Sequence, residues 1–161
     1  MNFEAWEKTV PASITSDRLW TVKAYRLGLF ASSLGWHDVS KLVKDSRTIS
    51  LADQLYRSLG SVHANYAEGY SYSTGGNRAK HFEYSLGSAR ESRGWYFDGR
   101  FVLGNQVSEH RMALLARSIQ ILIVTVSEQR TSTLREEQAS YDVNDPELTN
   151  LLTNVPISID S

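Results

Sequence analysis

The chain contains no cysteine and only three prolines, Pro11, Pro146 and Pro156, among its 161 residues. Without cysteine there is no disulfide framework, no thiol nucleophile and no thiolate metal site, which suits a reducing compartment. Proline breaks helices, and because none occurs between residues 12 and 145, long uninterrupted helices are permitted there. These two shortages predict a cytoplasmic protein built from long helices.

An export signal and a membrane-spanning run are also lacking. Residues 1–15 include Glu4, Glu7 and Lys8 among scattered apolar side chains, a pattern unlike a signal peptide. The longest apolar segment, residues 113–126, contains Arg117 and Gln120 and is too short and too polar to span a bilayer. We therefore expect neither export nor a membrane partner.

Charge is nearly balanced overall but unevenly distributed. Residues 1–130 carry 16 Lys and Arg against 12 Asp and Glu, a net of +4, whereas residues 131–161 carry 1 against 6, a net of −5. A basic body permits binding to nucleic acid or to an acidic partner. The acidic tail is then either a solubilising segment or a competitor for that surface.

Apolar residues recur at spacings of three and four along most of the chain, which is the pattern of amphipathic helices. The predicted helices cover residues 17–44, 50–70, 75–103 and 108–130, and Gly35 either kinks or breaks the first of them. We predict an all-α fold, an antiparallel up-and-down four-helix bundle over residues 1–130. An acidic flexible or extended tail follows at residues 131–161.

The secondary structure of two segments has more than one interpretation. Residues 119–126 are rich in β-branched side chains and taken alone resemble a strand, but no partner with alternating pattern exists, so we favour a helix. The tail is dominated by Ser, Thr, Asn, Asp and Pro, and we expect at most one docking turn in it, at Leu148, Leu151 and Leu152.

The third helix carries two apolar stripes about 180° apart on a helical projection of 100° per residue. One stripe comprises Phe82, Leu86, Ala89, Tyr96 and Leu103, and the other Tyr84, Trp95 and Val102. A helix in a monomeric bundle needs only one buried stripe. The second stripe therefore predicts contact with a neighbouring subunit or with the N-terminal segment, and we expect self-association.

Polar residues on the second and third helices repeat at the same helical spacing, so they are expected to face one another in a hydrogen-bonded network that fixes helix register. The predicted structural network comprises Arg57, Ser61, Asn65, Glu68, Ser88 and Glu91. Gly60 and Gly87 are expected to let the two backbones approach closely. An unpaired charge between helices would be expensive, which is why partners are required.

The same residues carry a resemblance to a known family. The run Asn65-Tyr66-Ala67-Glu68-Gly69, followed by Gly87-Ser88-Ala89-Arg90-Glu91, resembles the 23S rRNA intervening-sequence family of four-helix-bundle proteins. The similarity covers roughly residues 20–130. It implies a bundle that assembles as a homopentamer and has no known catalytic activity. A related branch, the accessory proteins of diversity-generating retroelements, resembles a basic pentamer that engages a reverse transcriptase and nucleic acid.

Enzyme and cofactor sites find no support in the sequence. A di-iron bundle needs Glu-x-x-His pairs, and none of Glu68, Glu83, Glu91 and Glu109 has a histidine three residues later. No nucleophile elbow, Walker motif or dinucleotide pattern occurs. We expect no catalytic residue, no metal and no cofactor.

Binding to RNA or DNA is the main functional alternative to a pure assembly role. The third helix concentrates arginines within about 80° of its surface, and the turn before it holds two glycines that could cradle an anion. The candidate nucleic-acid or partner contacts are Arg78, Lys80, Arg90, Arg93, Arg100, Arg111 and Arg117. A third alternative is a binding module for one protein partner, docked through the acidic tail.

Overall fold

The computed structural model describes residues 2–130 and 145–157, and in these ranges the fold is all-helical, without a strand. The helices are α1 (Phe3–Glu7), α2 (Ala12–Thr15), α3 (Lys23–Leu42), α4 (Ile49–Ser71), α5 (Gly75–Leu103), α6 (Asn105–Arg130) and α7 (Pro146–Thr153). A 3-10 turn at Arg18–Thr21 precedes α3. The all-α prediction is thereby confirmed.

The four long helices, α3 to α6, pack against one another, most extensively α4 against α5 and α5 against α6. Ser92 bonds Ser58 and Ser85 bonds Val62, so numbering rises along α4 as it falls along α5. These two helices therefore run in opposite directions. Gly104, with φ of 87°, is the single residue between α5 and α6, and this left-handed backbone suits glycine because it lacks a Cβ.

The core lies between these helices, and leucine is its commonest residue. Its most enclosed members, at most 1% exposed, include Leu27, Leu34, Leu55, Leu59, Leu114 and Leu115. Burying one such side chain contributes about 1.5–3 kcal/mol relative to leaving it in water. The stripes that the apolar spacing predicted on α3, α4 and α6 supply most of these residues.

The N-terminal segment packs on α3 and not on the second apolar stripe of α5. The rings of Phe3, Trp6, Trp20 and Phe30 form a cluster with centroid separations of 5.1 to 6.1 Å. The indole nitrogen of Trp6 also donates to the hydroxyl of Ser33 at 3.0 Å. The N-terminal segment, one of the two contacts expected for the second α5 stripe, therefore packs against α3.

Gly35 neither kinks nor breaks α3, which continues from Lys23 to Leu42. Its lack of a side chain instead makes room for Leu59, whose Cδ1 occupies the space a Cβ would need. The close approach expected at Gly60 and Gly87 is wrong, because nothing lies within 4 Å of a Cβ built at either position. The tight contacts of this kind lie elsewhere on the helices.

Two further boundaries differ from the sequence expectation. Helix α6 begins at Asn105 and not at residue 108, and α3 begins at Lys23 and not at residue 17, because Arg18–Thr21 form a 3-10 turn. The choice of a helix over a strand for residues 119–126 is confirmed, since they lie within α6. In the predicted tail, residues 131–144 and 158–161 lie outside the described residues. Where one docking turn was expected, the chain forms the eight-residue helix α7, and Leu148 within it is 1% exposed.

Within the described ranges, no helix combines the length and the apolar character that crossing a membrane requires.

The glycines yield a matched pair of predictions. Gly94 lies exposed inside α5 with nothing within 4 Å of a built Cβ, so Gly94→Ala should raise the free energy of unfolding by about 0.5–1 kcal/mol. A Cβ at Gly69 would lie 2.8 Å from the Phe82 ring, so Gly69→Ala should lower it by about 1–3 kcal/mol. Urea unfolding of both variants measures the effects. If both variants changed the free energy of unfolding in the same direction and by the same amount, the packing described would be contradicted.

Candidate functional site

The centre of the molecule holds a buried ion pair. Asp38 on α3 is 0% exposed and Arg111 on α6 is 2% exposed. The Nε of Arg111 donates to Asp38 Oδ2 at 2.8 Å, and its Nη2 donates to Oδ1 at 3.3 Å. This is the two-pronged geometry that gives arginine and carboxylate their strongest contact.

Tyr96 on α5 completes the contact between three long helices. Its hydroxyl donates to Asp38 Oδ2 at 2.9 Å, and the whole side chain is 1% exposed. Burial, reinforced by the negative charge of Asp38, raises the pKa of Tyr96 well above its ordinary value. The phenol therefore stays protonated and acts as a hydrogen-bond donor.

His110, next to Arg111 on α6, connects this centre to the C-terminal segment. Arg111 Nη1 donates to His110 Nδ1 at 2.9 Å, so the ring proton lies on Nε2, which contacts the carbonyl of Leu151 at 2.7 Å. Burial lowers the pKa of His110, and the positive charge of Arg111 adds to that effect. The imidazole is therefore held neutral near neutral pH.

Arg111 and Arg117 both bind the C-terminal segment. Arg111 Nη2 donates to the carbonyl of Pro156 at 2.9 Å. Arg117 Nε lies 3.2 Å from Asp145 Oδ2, and its Nη2 pairs with Glu147. Two of the cations predicted as nucleic-acid contacts thus bind groups of their own chain.

For Arg111 the expected surface position is wrong. A guanidinium that is 2% exposed cannot meet a phosphate backbone from outside, and Asp38 already neutralises it. The sequence interpretation assigned it to the surface because of its charge. Its spacing from Val107, Leu114 and Leu115 places it in the apolar stripe of α6, and that spacing was the available signal.

The predicted polar network between α4 and α5 does not form as expected. Its members bond mostly along their own helices: Arg57 with Asp53 at 3.8 Å, Asn65 with the carbonyl of Ser61 at 2.8 Å, and Glu91 with the indole of Trp95 at 3.2 Å. Ser88 accepts, through its carbonyl, from Ser92 at 2.8 Å. Only Glu68 reaches across, to His81 at 3.5 Å.

Buried serines one or three positions away make the actual interhelical bonds. Ser92 Oγ donates to Ser58 Oγ at 2.8 Å, and Ser85 Oγ donates to the carbonyl of Val62 at 2.6 Å. Ser58, Ser85 and Ser92 are at most 4% exposed. Hydrogen bonds between α4 and α5 therefore do exist, but buried serines make them. The charged members of the predicted network lie at the surface.

The exposed surface of α5 carries an aromatic and basic patch, which we call the α5 patch: Phe97, Arg100 and Phe101. Phe97 is 52% exposed and Phe101 82% exposed. The Arg100 guanidinium carbon lies 3.8 Å from one ring centroid and 4.1 Å from the other. Arg90 and Arg93 are also exposed, one to two helical turns earlier.

A second aromatic surface lies between α3 and α4, and we call it the α3/α4 groove. It is an open groove of about 340 Å³ lined by Leu29, Ser32, Ser33, Trp36 and Tyr56. Trp36 is 59% exposed and meets Tyr56, 40% exposed, edge to face with centroids 5.9 Å apart. Neither sequence stripe predicted this surface.

The remaining predicted contacts lie at the start of α5. Arg78 Nε donates to the carbonyl of Tyr72 at 2.5 Å and closes the preceding turn. The Lys80 ammonium lies 5.9 Å from the Tyr84 ring centroid. The second apolar stripe is only partly open here, because Tyr84 is 49% exposed while Trp95 and Val102 pack against the core.

In residues 2–130 and 145–157, no three histidine, aspartate or glutamate side chains are grouped as metal ligands would be. The ionisable groups at the centre, Asp38, Arg111 and Tyr96, contact one another. Their arrangement joins helices and seats the C-terminal segment.

In comparisons with known proteins, no family model, curated protein or solved structure matches this chain.

The central ion pair gives a stability prediction. Asp38→Ala leaves the Arg111 charge buried without its carboxylate and should lower the free energy of unfolding by about 3–5 kcal/mol, measured by urea unfolding. The matched control is Asp53→Ala, which removes an exposed aspartate 3.8 Å from Arg57 and should change stability by no more than about 0.5 kcal/mol.

A double variant separates charge from packing. Asp38→Leu with Arg111→Met removes both charges and should recover part of the loss, because no buried charge is left without its partner. The recovery is incomplete because Tyr96, His110 and the carbonyl of Pro156 each lose a hydrogen-bond partner. A small effect of Asp38→Ala alone would contradict the assignment.

Proposed function

We propose that this chain is a non-enzymatic scaffold that self-associates, of the 23S rRNA intervening-sequence type. In this proposal α3 to α6 form an antiparallel up-and-down four-helix bundle, and five copies make a closed ring in the cytoplasm. The proposal rests on the sequence motifs in α4 and α5 and on one structural observation, the two separate aromatic surfaces that one copy leaves open to water.

The two surfaces suit a ring because they differ. A cyclic assembly of odd number needs a head-to-tail interface, in which one patch on each copy meets a different patch on the next. Phe101 of the α5 patch projects, being 82% exposed, whereas Trp36 and Tyr56 line an open groove. In the proposed ring the α5 patch of one copy enters the α3/α4 groove of its neighbour.

The energetics favour such a contact. Burying one phenylalanine contributes about 1.5–3 kcal/mol, and aromatic pairs add about 0.5–1.5 kcal/mol beyond their area. Arg100 would keep its place over the rings and bring its charge to the rim of the interface. Large aromatics and arginine are the residues in which protein interfaces concentrate their binding energy.

Native mass measurements test the ring. Five chains of 18.1 kDa give about 90 kDa, and this is the mass expected for the wild-type protein. Phe101→Glu and Trp36→Glu should each reduce the protein to monomers, because each places a charge in the interface. Ser73→Glu, a matched charge on the exposed loop before α5, should leave the mass unchanged.

Mixing the two variants makes the test specific. The Trp36→Glu chain keeps its α5 patch and the Phe101→Glu chain keeps its groove, so the mixture should form a dimer that cannot extend. A monomeric wild-type protein would contradict self-association. Wild-type rings with a monomeric mixture would contradict the pairing of the two surfaces.

A second candidate function is binding of single-stranded RNA or DNA. The observation that favours it is the stacking of Arg100 between Phe97 and Phe101, with Arg90 and Arg93 exposed earlier on the same helix. Aromatic faces that stack bases, combined with cations that follow the phosphates, are the usual elements of single-strand binding.

Fluorescence anisotropy of a labelled single-stranded RNA tests this candidate at low and at moderate salt. Arg93→Glu with Arg100→Glu should weaken binding at least tenfold and reduce its salt dependence, because fewer phosphate contacts remain. Arg57→Glu, an exposed arginine on α4, is the control. Absence of binding to the wild type, or equal loss in the control, would remove the candidate.

A further inference from the structure

The C-terminal segment, residues 145–157, is held much as a bound peptide is held. In the sequence it is separated from the end of α6 by fourteen residues, 131–144. It lies against α6 and, through α7, against α1. Its contacts fall into three groups along its length, each with a different chemistry.

The first group recognises charge at the start of α7. Asp145 caps the helix by accepting from the backbone N–H of Glu147 at 3.0 Å. Arg117 on α6 pairs with both of these carboxylates. Burial and the charge of Arg26 lower the pKa of Lys23, and the negative charge of Asp145 opposes that lowering. The acidic cap thus lies in positive surroundings.

The second group is an apolar anchor. Leu148 is 1% exposed and belongs to the main core, and Leu152 and Val155 are partly buried and pack against that core. A leucine that is buried so completely is the kind of residue that provides most of the binding energy of a helix in a groove.

The third group recognises backbone. His110 contacts the carbonyl of Leu151 at 2.7 Å, and Arg111 donates to the carbonyl of Pro156 at 2.9 Å. Both donors are fixed on α6 by burial, at 7% and 2% exposure, and Arg111 is also fixed by Asp38. The receiving site is therefore formed by side chains that do not belong to the segment.

None of these contacts requires that the segment come from the same copy. We infer that α6, with α1, forms a binding site for an acidic-capped, leucine-anchored peptide, and that a second copy of this chain can fill it with its own residues 145–157. Exchange of an identical element is a low-cost route to association, because the contacts made in the exchanged form are the same.

The cis arrangement is favoured at ordinary concentrations. A connection of fourteen residues gives the chain's own segment an effective concentration in the millimolar range, far above micromolar protein. A second copy fills the site when the chain's own segment is undocked or cannot reach it. The site contains no residue of the α5 patch or the α3/α4 groove, so peptide binding to it can be tested separately from the proposed ring.

Peptide binding to the full-length protein tests the site. The probe is a fluorescent peptide of residues 145–157, and the receptor is the full-length Leu148→Asp chain, whose own segment has lost its anchor. Anisotropy should show binding to this chain at least ten times tighter than to the wild type, whose own segment competes. The same peptide carrying Leu148→Asp should bind at least tenfold more weakly.

Two charge reversals serve as a matched pair in the Leu148→Asp chain. Arg117→Glu should weaken peptide binding, because it places a carboxylate against Asp145 and Glu147. Arg90→Glu, an exposed arginine on α5, should leave it unchanged. A Leu148→Asp chain that keeps its near-ultraviolet tryptophan spectrum yet binds no peptide would overturn the inference.

Connection length provides a second test that leaves Leu148 intact. Arg117, which contacts Asp145, precedes Arg130 by thirteen residues, or about 20 Å of helix. Deleting residues 131–143 leaves one connecting residue, which spans about 7 Å and prevents docking in cis. Deleting residues 131–136 leaves eight, which span about 30 Å and permit it.

Both deletions are made in the Phe101→Glu background, so that the proposed ring contact does not contribute to the mass. The long deletion should associate into dimers or larger assemblies, and Leu148→Asp should return it to a monomer. The short deletion should remain monomeric. Equal masses for the two deletions would overturn the inference and would leave the proposed ring untouched.

Discussion

The structure depends on one buried charged contact, the pair of Asp38 and Arg111. Removing two charges from water is costly, and the cost is recovered only with good geometry and with partners for the remaining donors and acceptors. Tyr96 and the carbonyl of Pro156 are such partners. Helices α3, α5 and α6 and the C-terminal segment must therefore meet in one register.

Most of the fold could be predicted from the helical spacing of the apolar residues. Leu27 and Leu34, or Leu55 and Leu59, repeat at helical spacing and are buried, and the long interval without proline contains the four long helices. The central pair was missed because charge was taken as a sign of exposure. Asp38 lies between Leu34 and Leu42 at spacings of four, a position that predicts burial. Two opposite charges, each inside an apolar stripe, are a signal that they belong together.

Other errors have a different physical origin. Helical spacing groups residues on one face but tolerates a shift of one position, and so it selected Arg57 and Ser61 when Ser58 makes the contact to α5. Pair contacts between helices depend on axial offset and rotation, which a single sequence does not specify. Helix α7, by contrast, was open to prediction. Asp145, Pro146 and Glu147 form a standard start signal, with a cap, a proline in the first turn and an acidic residue behind it.

The molecule thus combines a buried ion pair with outer faces that carry exposed aromatic rings. Both proposals depend on the ion pair for a rigid framework. Side-chain hydrogen exchange of ¹⁵N-labelled arginines tests that pair most directly. The Nε–H of Arg111 should exchange with water at least about a hundredfold more slowly than that of Arg57, whose side chain is 74% exposed. Equal exchange rates for the two arginines would contradict a buried ion pair at the centre of this fold.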